Sequence, residues 1–382
     1  MPRQSLLLLP LKSMTLQISF AIPLYNKAGF IFDVITSIGS LCSSLNVSYE
    51  IVVTDNCSSD LPKPLAVLLK DSPYYNNIVV YNHPCTISSG DNWMAALALC
   101  SGEVVKLQLA DDKLLQFDLA MLLSKFQSDQ NLDYIIGKSL PVFEDDTIDL
   151  ESQNNIKSFF DIANNLRRKL AEANSPNKRL GILFEAGFFF GSNPLQDSNS
   201  LFLAKRHVDM LRGPILAANA PFFTWADWEI FMKTLLPLKG LFWDEFISEF
   251  SYNSNGSFSL SLKNKSAQLG QFVFPRSRII LANLIDPYYA SVVYPQFSID
   301  QKRALLRSST DLLVESLPCR NKDSKEVYPI LESIIQRYPS VVFLALPKFY
   351  CLKLYSIFVH SKIKYSAACS RLGKRLTKMF FS

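Results

Sequence analysis

The sequence predicts an α/β fold, with a mostly parallel, doubly wound sheet flanked by helices and a helical C-terminal extension. Three observations predict it. Over the first 115 residues, short apolar runs of period two alternate with segments of helical period. Each of these apolar runs stops at polar or proline punctuation. Beyond about residue 265 the strand pattern gives way to helical spacing.

The elements follow in order. Residues 16–22 alternate apolar with small or polar side chains, and Pro23 is expected to end this first strand. Phe30, Ile31, Val34, Ile35, Ile38 and Leu41 recur at helical spacing. Residues 49–53 form a second strand ended by Thr54-Asp55-Asn56, and residues 77–81 a third. Residues 92–100 read as a short helix stopped by Ser101-Gly102. Residues 103–109 form a fourth strand, ended by Ala110-Asp111-Asp112. Ile156, Phe159, Phe160, Ile162, Ala163, Leu166 and Leu170 mark a long helix, and residues 187–191 open an irregular aromatic loop. A further helix is expected over 225–236, then strand and loop over 240–260. Ser298 with Gln301 has the form of a capping box ahead of a leucine-rich helical stretch. No repeat of fixed period is present.

Composition bounds the function. The chain has 382 residues, 48% hydrophobic and 12% aromatic, which excludes disorder throughout. With 13 Gly and 20 Pro it is not collagen-like. Seven cysteines without a CxxC pair suit neither a disulfide scaffold nor a structural zinc site, and point to a reducing, cytoplasmic compartment. Three scattered histidines exclude an HExxH site. The GxGxxG and Walker A loops are absent, which weighs against dinucleotide redox chemistry and simple NTP hydrolysis.

Charge is uneven. No acidic residue follows Glu332, and nine basic residues do, which leaves 30 basic against 34 acidic side chains before them, a net of −4. The tail 333–382 therefore suits peripheral contact with the anionic inner face of a membrane, or equally a tail helix packed on the body with its lysines outward. Residues 1–14 carry a four-leucine run too short for a signal-peptide core; they are expected to be a disordered leader, or Met14 to be the start. No window of about 20 residues is free of charge, so no transmembrane helix is expected. The acidic body and aliphatic tail argue against nucleic acid as a partner.

In an open parallel sheet, ligands bind outside the carboxyl ends of the strands. Here those ends carry Tyr25 and Asn26, Asp55 and Asn56, and Asp111 and Asp112. Asp55-Asn56 also suits plain turn chemistry, and the Asp pair also suits helix capping. Adjacent carboxylates repel, and a divalent cation bridging them to phosphate would relieve the repulsion. Lys106 and Lys113 are the basic residues nearest the pair, and His83, just past the third strand, is expected to be a solvated loop histidine rather than a contact to the base edge.

Four motifs in order resemble the N-terminal half of a family 2 glycosyltransferase of GT-A (Rossmann-like) fold. They are Ile22-Pro23-Leu24-Tyr25-Asn26-Lys27, residues 50–60 through Asp55-Asn56, residues 92–103 opening with Asn92-Trp93, and Ala110-Asp111-Asp112-Lys113-Leu114. A looser likeness continues through residues 198–205 and 226–230. The resemblance implies a GT-A domain over 15–260, with a nucleotide-sugar half (15–115) and an acceptor half (116–260), before a helical, basic region at 261–382. It implies inverting transfer from a nucleoside-diphosphate sugar, UDP-sugar foremost, to a glycan or lipid-linked acceptor in cell-surface polysaccharide synthesis. By the same resemblance Pro23, Tyr25, Asn26, Asp55, Asn56, Asn92 and Asp112 contact the nucleotide sugar. Asp111 holds Mg2+ or Mn2+, and Asp227 is the general base, with Glu229 the fallback. Thr224 and Asp227 also have the form of a helix-capping pair. Trp93 is expected in the core, while Trp225 is open between core and sugar stacking.

Two departures from the family pattern stand out. Leu109 occupies the first position of the DxD motif, and the late Arg-x-His region falls at residues 250–253, which have neither. Either one diphosphate contact is lost, or another basic residue supplies it. These departures keep a second reading open, a non-catalytic GT-A module that binds nucleotide or glycan.

Overall fold

The computed structural model describes residues 16–87, 89–143, 149–186, 195, 198–211, 230–231, 234–252, 294–302 and 304. β1 (Ile18–Leu24) is buried along its whole length, as a strand covered on both faces must be. β2 (Tyr49–Asp55) and β3 (Ile78–Asn82) lie parallel to it on one side, and β4 (Val104–Leu107) on the other. The seven-stranded sheet has the order β3-β2-β1-β4-β6-β5-β7. β6 (Leu201–Ala204) runs antiparallel to both β4 and β5 (Tyr134–Phe143), and β7 (Gly240–Tyr252) is parallel to β5. The carboxyl ends of β1 to β4 therefore share one edge with those of β5 and β7.

Pro23 does not end β1. It pairs with Thr54 in the β1–β2 register. Residues 19, 21 and 23 face β4, and that ladder stops at Ala21, whose carbonyl accepts the Gln108 N–H. The missing proline N–H thus falls where no ladder asks for it.

Helix α1 (Ile31–Ser44) turns the expected apolar face inward: Ile31, Val34, Ile35, Ile38, Leu41 and Cys42 are buried. Each fully buried aliphatic side chain of this kind contributes about 1.5–3 kcal/mol. Burial also pushes the Cys42 thiol up to about 12, so it stays protonated. After the short helix α2 (Leu65–Leu68) and β3, helix α3 (Ser89–Leu99) covers β1 and β2. Its Trp93 is only half-buried. Gly102, after α3, sits so close to β1 that a Cβ there would lie 2.7 Å from the Ile18 carbonyl carbon.

The second half holds elements that the periodicity does not reveal. Helix α4 (Leu119–Ser128) is capped by Asp118, which accepts the Met121 N–H at 2.8 Å. β5 contains Gly137 and Pro141, which disguise it as a loop, and its pairing with β7 shifts register around Lys138. Helix α5 (Leu150–Glu172) buries Ile156, Phe160, Ala163, Leu166 and Leu170 as expected, but leaves Phe159 and Ile162 exposed. Helices α6 (Pro176–Glu185) and α7 (Lys205–Leu211) complete this part.

The chain divides into two compact units, residues 1–188 with 193–264, and residues 189–192 with 265–382. In the second, a 3-10 turn (Tyr294–Gln296) precedes the expected capping box. The Ser298 N–H donates to Gln301 Oε1 at 2.9 Å, and the Gln301 N–H to Ser298 Oγ at 3.1 Å. Of the helix expected over 225–236, residues 230–231 and 234–235 are helical. Asp227, Glu229 and Trp225 lie outside the described residues, as do the expected leader 1–14, the loop 187–191 and the tail 333–382. Among the described residues, no helix is long and apolar enough to cross a membrane.

Candidate functional site

The site is built on the adjacent ends of β2, β1 and β4. After β1 the chain turns through Tyr25, whose ring is half-exposed, and Asn26, which adopts a left-handed φ of 51°. That conformation is held by the loop after β2. The Asn26 N–H donates to Ser58 Oγ at 2.9 Å, and Asn26 Oδ1 accepts the Ser59 N–H at 2.8 Å. The Ala28 N–H donates to Asp60 Oδ2 at 2.9 Å. Cys57 is also left-handed, with φ 58°. Two non-glycine residues at positive φ in facing loops mark a cradle whose backbone is fixed by side-chain bonds.

Asp55 is buried at the end of β2 and accepts the Ser58 N–H, three residues on, at 3.2 Å. Asn56 is buried too. Its amide donates to the Ile87 carbonyl at 2.9 Å and its oxygen accepts the Ile87 N–H at 2.8 Å. Asn56 thus pins the loop after β3 in place. Asn92, in the first turn of α3, donates to the Leu24 carbonyl at 3.3 Å, and its buried Oδ1 has no partner among the described residues. His83 donates its backbone N–H to the Asp55 carbonyl, and its ring stands edge-on to Tyr81. Its Nε2 is buried without a partner among the described residues, so it is not the solvated loop histidine expected.

At the end of β4 the two carboxylates do not face each other. Asp111 pairs with Lys27 Nζ at 2.7 Å, and both side chains are about a quarter exposed. Asp112 is buried and turns the other way. Its Oδ1 accepts the Ser251 N–H of β7 at 2.8 Å, and its Oδ2 accepts the Asn199 amide from the turn before β6. Asn199 Oδ1 in turn accepts the Leu109 N–H at 2.7 Å. Gln108 donates to the Asp112 carbonyl, and Lys106 donates to Gln108 Oε1 at 2.6 Å. The following residues bridge to β7, where the Leu115 N–H meets the Ile247 carbonyl at 2.8 Å.

The expectation for this pair is therefore corrected in part. The mutual repulsion of Asp111 and Asp112 is relieved by an ammonium and by buried donors. Asp112 is a clasp for the 108–115 loop, with both carboxylate oxygens taken by protein groups. Lys106 is fully buried, and Lys113 pairs with Asp33 on the surface. The ammonium at Asp111 belongs to Lys27, which the motif contains but to which sequence reasoning gave no role. Its pairing joins loops 84 residues apart, and no sequence spacing signals that. The residues present do not make a divalent-cation cage. Asp111 is ion-paired, Asp112 is committed, position 109 is leucine, and no group of three metal-ligating side chains occurs among the described residues.

The same edge continues into the second half as an aromatic cluster. Phe143 stacks on Tyr252 at 5.4 Å, and Phe160 packs against Phe250 at 5.6 Å. Phe250 and Tyr252 stand where the late basic region of the resemblance would fall.

Comparisons with known proteins bear on this edge. Residues 19–191 match the sequence profile described as Glycosyl transferase family 2. The abequosyltransferase RfbV of Salmonella typhimurium (strain LT2) is 26% identical over 116 residues, 30% of this chain. The chain spans about a third of that relative's length, 34%. Among solved structures, S. aureus TarS 1-349 in complex with UDP-GlcNAc gives a TM-score of 0.44 at 13% identity, covering 78% of this chain and 81% of that one. The mannosyltransferase PcManGT from Pyrobaculum calidifontis, in complex with GDP-Man and Mn2+, gives 0.47 at 12% identity, covering 90% and 84%. The matched profile runs through β1 to β4 and contains the polar residues of the cradle, so residues 19–191 are similar to the glycosyl transferases of family 2.

Proposed function

We propose that the chain is an inverting glycosyltransferase that moves a sugar from a nucleoside-diphosphate sugar to a hydroxyl of a glycan or lipid-linked acceptor in polysaccharide synthesis. One observation carries the reading. Tyr25, Asp55 and the Lys27–Asp111 pair converge on the ends of three adjacent parallel strands within the region that matches the family 2 profile.

The cradle suits the donor in parts. The half-exposed Tyr25 ring offers a face for the nucleoside. Asp55, held by Ser58, offers a fixed acceptor to a base N–H, and His83, whose backbone N–H bonds the Asp55 carbonyl, offers its Nε2 as a further polar contact. Asn56 and Asn92 shape the floor of this pocket through Ile87 and Leu24. UDP is the first nucleotide to test.

In the reaction, the acceptor oxygen attacks the anomeric carbon from the face opposite the diphosphate. The new C–O bond forms as the bond to the diphosphate breaks, and the leaving nucleoside diphosphate takes the bonding pair. The acceptor proton passes to a carboxylate. Asp227 is that base by its place in the family pattern, with Glu229 the fallback. A positioned general base contributes about 100- to 10,000-fold. The Asp227→Asn variant is therefore expected to lose turnover by that factor while its nucleotide affinity stays within about twofold of the wild type. Equal loss of both would show a structural role for Asp227. Turnover kept in both Asp227→Asn and Glu229→Gln, assayed with the hydrolysis of the donor sugar, would overturn the assignment. The non-catalytic reading predicts nucleotide binding with no hydrolysis or transfer in the wild type. The nine basic residues of 333–382 support contact with an anionic membrane surface on the cytoplasmic side.

A further inference from the structure

The Lys27–Asp111 pair carries a consequence for how the site handles charge. A diphosphate brought to the ends of β1 and β4 meets the carboxylate of Asp111 and needs a positive partner. In this chain Leu109 removes one carboxylate from the loop, and Asp112 spends both oxygens on Ser251 and Asn199. What remains at the mouth is an ammonium, 2.7 Å from Asp111 and 5.5 Å from the Phe30 ring centroid. It is not a loose surface lysine. Asn26 and Ala28 on either side are hydrogen-bonded to Ser58, Ser59 and Asp60, so the backbone that presents Lys27 is fixed. Its side chain is about three-quarters covered and still open on one side.

We propose that Lys27 is the cationic group for the donor diphosphate in this chain, with Asp111 as the carboxylate that orients it, so that nucleotide binding proceeds without a divalent cation. The inference rests on the nucleotide-sugar reading of the site and deepens it. Asp111 holds the Lys27 ammonium at the mouth while the site is empty. When the diphosphate arrives, the Nζ has three donors, enough to hold Asp111 and a phosphate oxygen together. As the bond to the sugar breaks, the same ammonium neutralises the growing charge on the leaving oxygen. A lysine does this as a compact point charge on a flexible stem, which suits a diphosphate that must later leave.

Calorimetric titration tests this without turnover. UDP, CDP, GDP and dTDP are titrated into the full chain with chelator and then with Mn2+, and the tightest binder is carried forward. Binding in chelator is expected in the wild type. Lys27→Met is expected to weaken it at least about tenfold, or about 1.4 kcal/mol, and Lys27→Arg to restore part of it. Asp111→Asn separates the two mechanisms by sign. If Lys27 is the cation, the amide oxygen introduced at position 111 still accepts from Nζ and orients it while the competing charge is gone, so binding in chelator stays intact or tightens. If Asp111 is a metal ligand, binding needs Mn2+ and Asp111→Asn abolishes it; that result, with Lys27→Met unchanged, overturns the inference and leaves the donor site standing. Failure of all four nucleotides under both conditions overturns the donor-site reading, and this inference with it. Circular dichroism of Lys27→Met controls for folding.

Discussion

The two halves of the sheet end on the same edge and treat it differently. Along β2, β1 and β4 the edge is polar, its loops cross-bonded side chain to backbone, and its outermost pair, Lys27 and Asp111, faces solvent. Along β5 and β7 the edge is an aromatic cluster, and the polar groups lie behind it. There Arg167 of α5 is fully buried and donates to Ser139 Oγ at 3.1 Å, to the Gly137 carbonyl and to the Leu195 carbonyl. The first half spends polar groups on presenting a charge, the second on holding backbone that has no regular partner. Asp112 joins them: it belongs to the first half by sequence, and its carboxylate accepts from Ser251 of β7 and from Asn199 of the turn before β6.

The contrast can be broken by substitution. The largest effect is expected from Arg167→Ala, which leaves buried carbonyls of β5 and residue 195 without donors; a loss of about 3 kcal/mol is expected. Urea denaturation checks it, and the folded fraction should bind nucleotide as the wild type does. Asp112→Asn is expected next, at about 2 kcal/mol, because the new amide must meet either the Ser251 N–H or the Asn199 amide donor to donor. Unlike Arg167→Ala, it should also weaken nucleotide binding, since the loop it clasps positions the group that orients Lys27. Stability lost without any change in affinity would make the clasp irrelevant to the donor site. Phe143→Ala removes one stacked ring at the second edge and is expected to cost about 1 kcal/mol, with no effect on nucleotide affinity.

The smallest effect is a pH dependence behind the second edge. Asp244 is hydrogen-bonded to Lys138 and paired with Arg168, and the bond to Lys138 is the main cause that holds its carboxyl below the usual value of 3.8. A lowered folded pKa adds stability above the unfolded value and loses it as pH falls through the folded one. The melting-temperature gap between wild type and Asp244→Asn should therefore be present at about pH 6 and close below 3.8. The group is exposed, so the gap should also shrink with salt. A gap that persists at low pH would place the effect in packing rather than charge.

How much of this was legible in the sequence depends on the range of the contacts involved. The strands and helices of the first half follow from local periodicity, because covered parallel strands are apolar runs and α1 buries a regular stripe. β5 was not legible: Gly137 and Pro141 interrupt its pattern, and its partner β7 lies about a hundred residues on. The same holds within the site. Tyr25, Asn26, Asp55 and Asp111 stand in motifs of fixed local order, and strand-end chemistry places them together. The partnership of Asp111 with Lys27, and of Asp112 with Asn199 and Ser251, depends on which way each side chain turns at the end of β4.

By itself, then, the sequence determined the α/β class, the strand ends where polar residues gather, and the family these motifs resemble, since each is written in short-range spacing. Only the tertiary structure decided what each polar residue does there. It carried Pro23 through β1 past the end of a ladder, committed Asn56 to Ile87 and Asp112 to β7, and left Lys27 and Asp111 facing outward. The physical reason is that a buried polar group must find its partners wherever the fold supplies them, and those partners here come from 31 to 139 residues away.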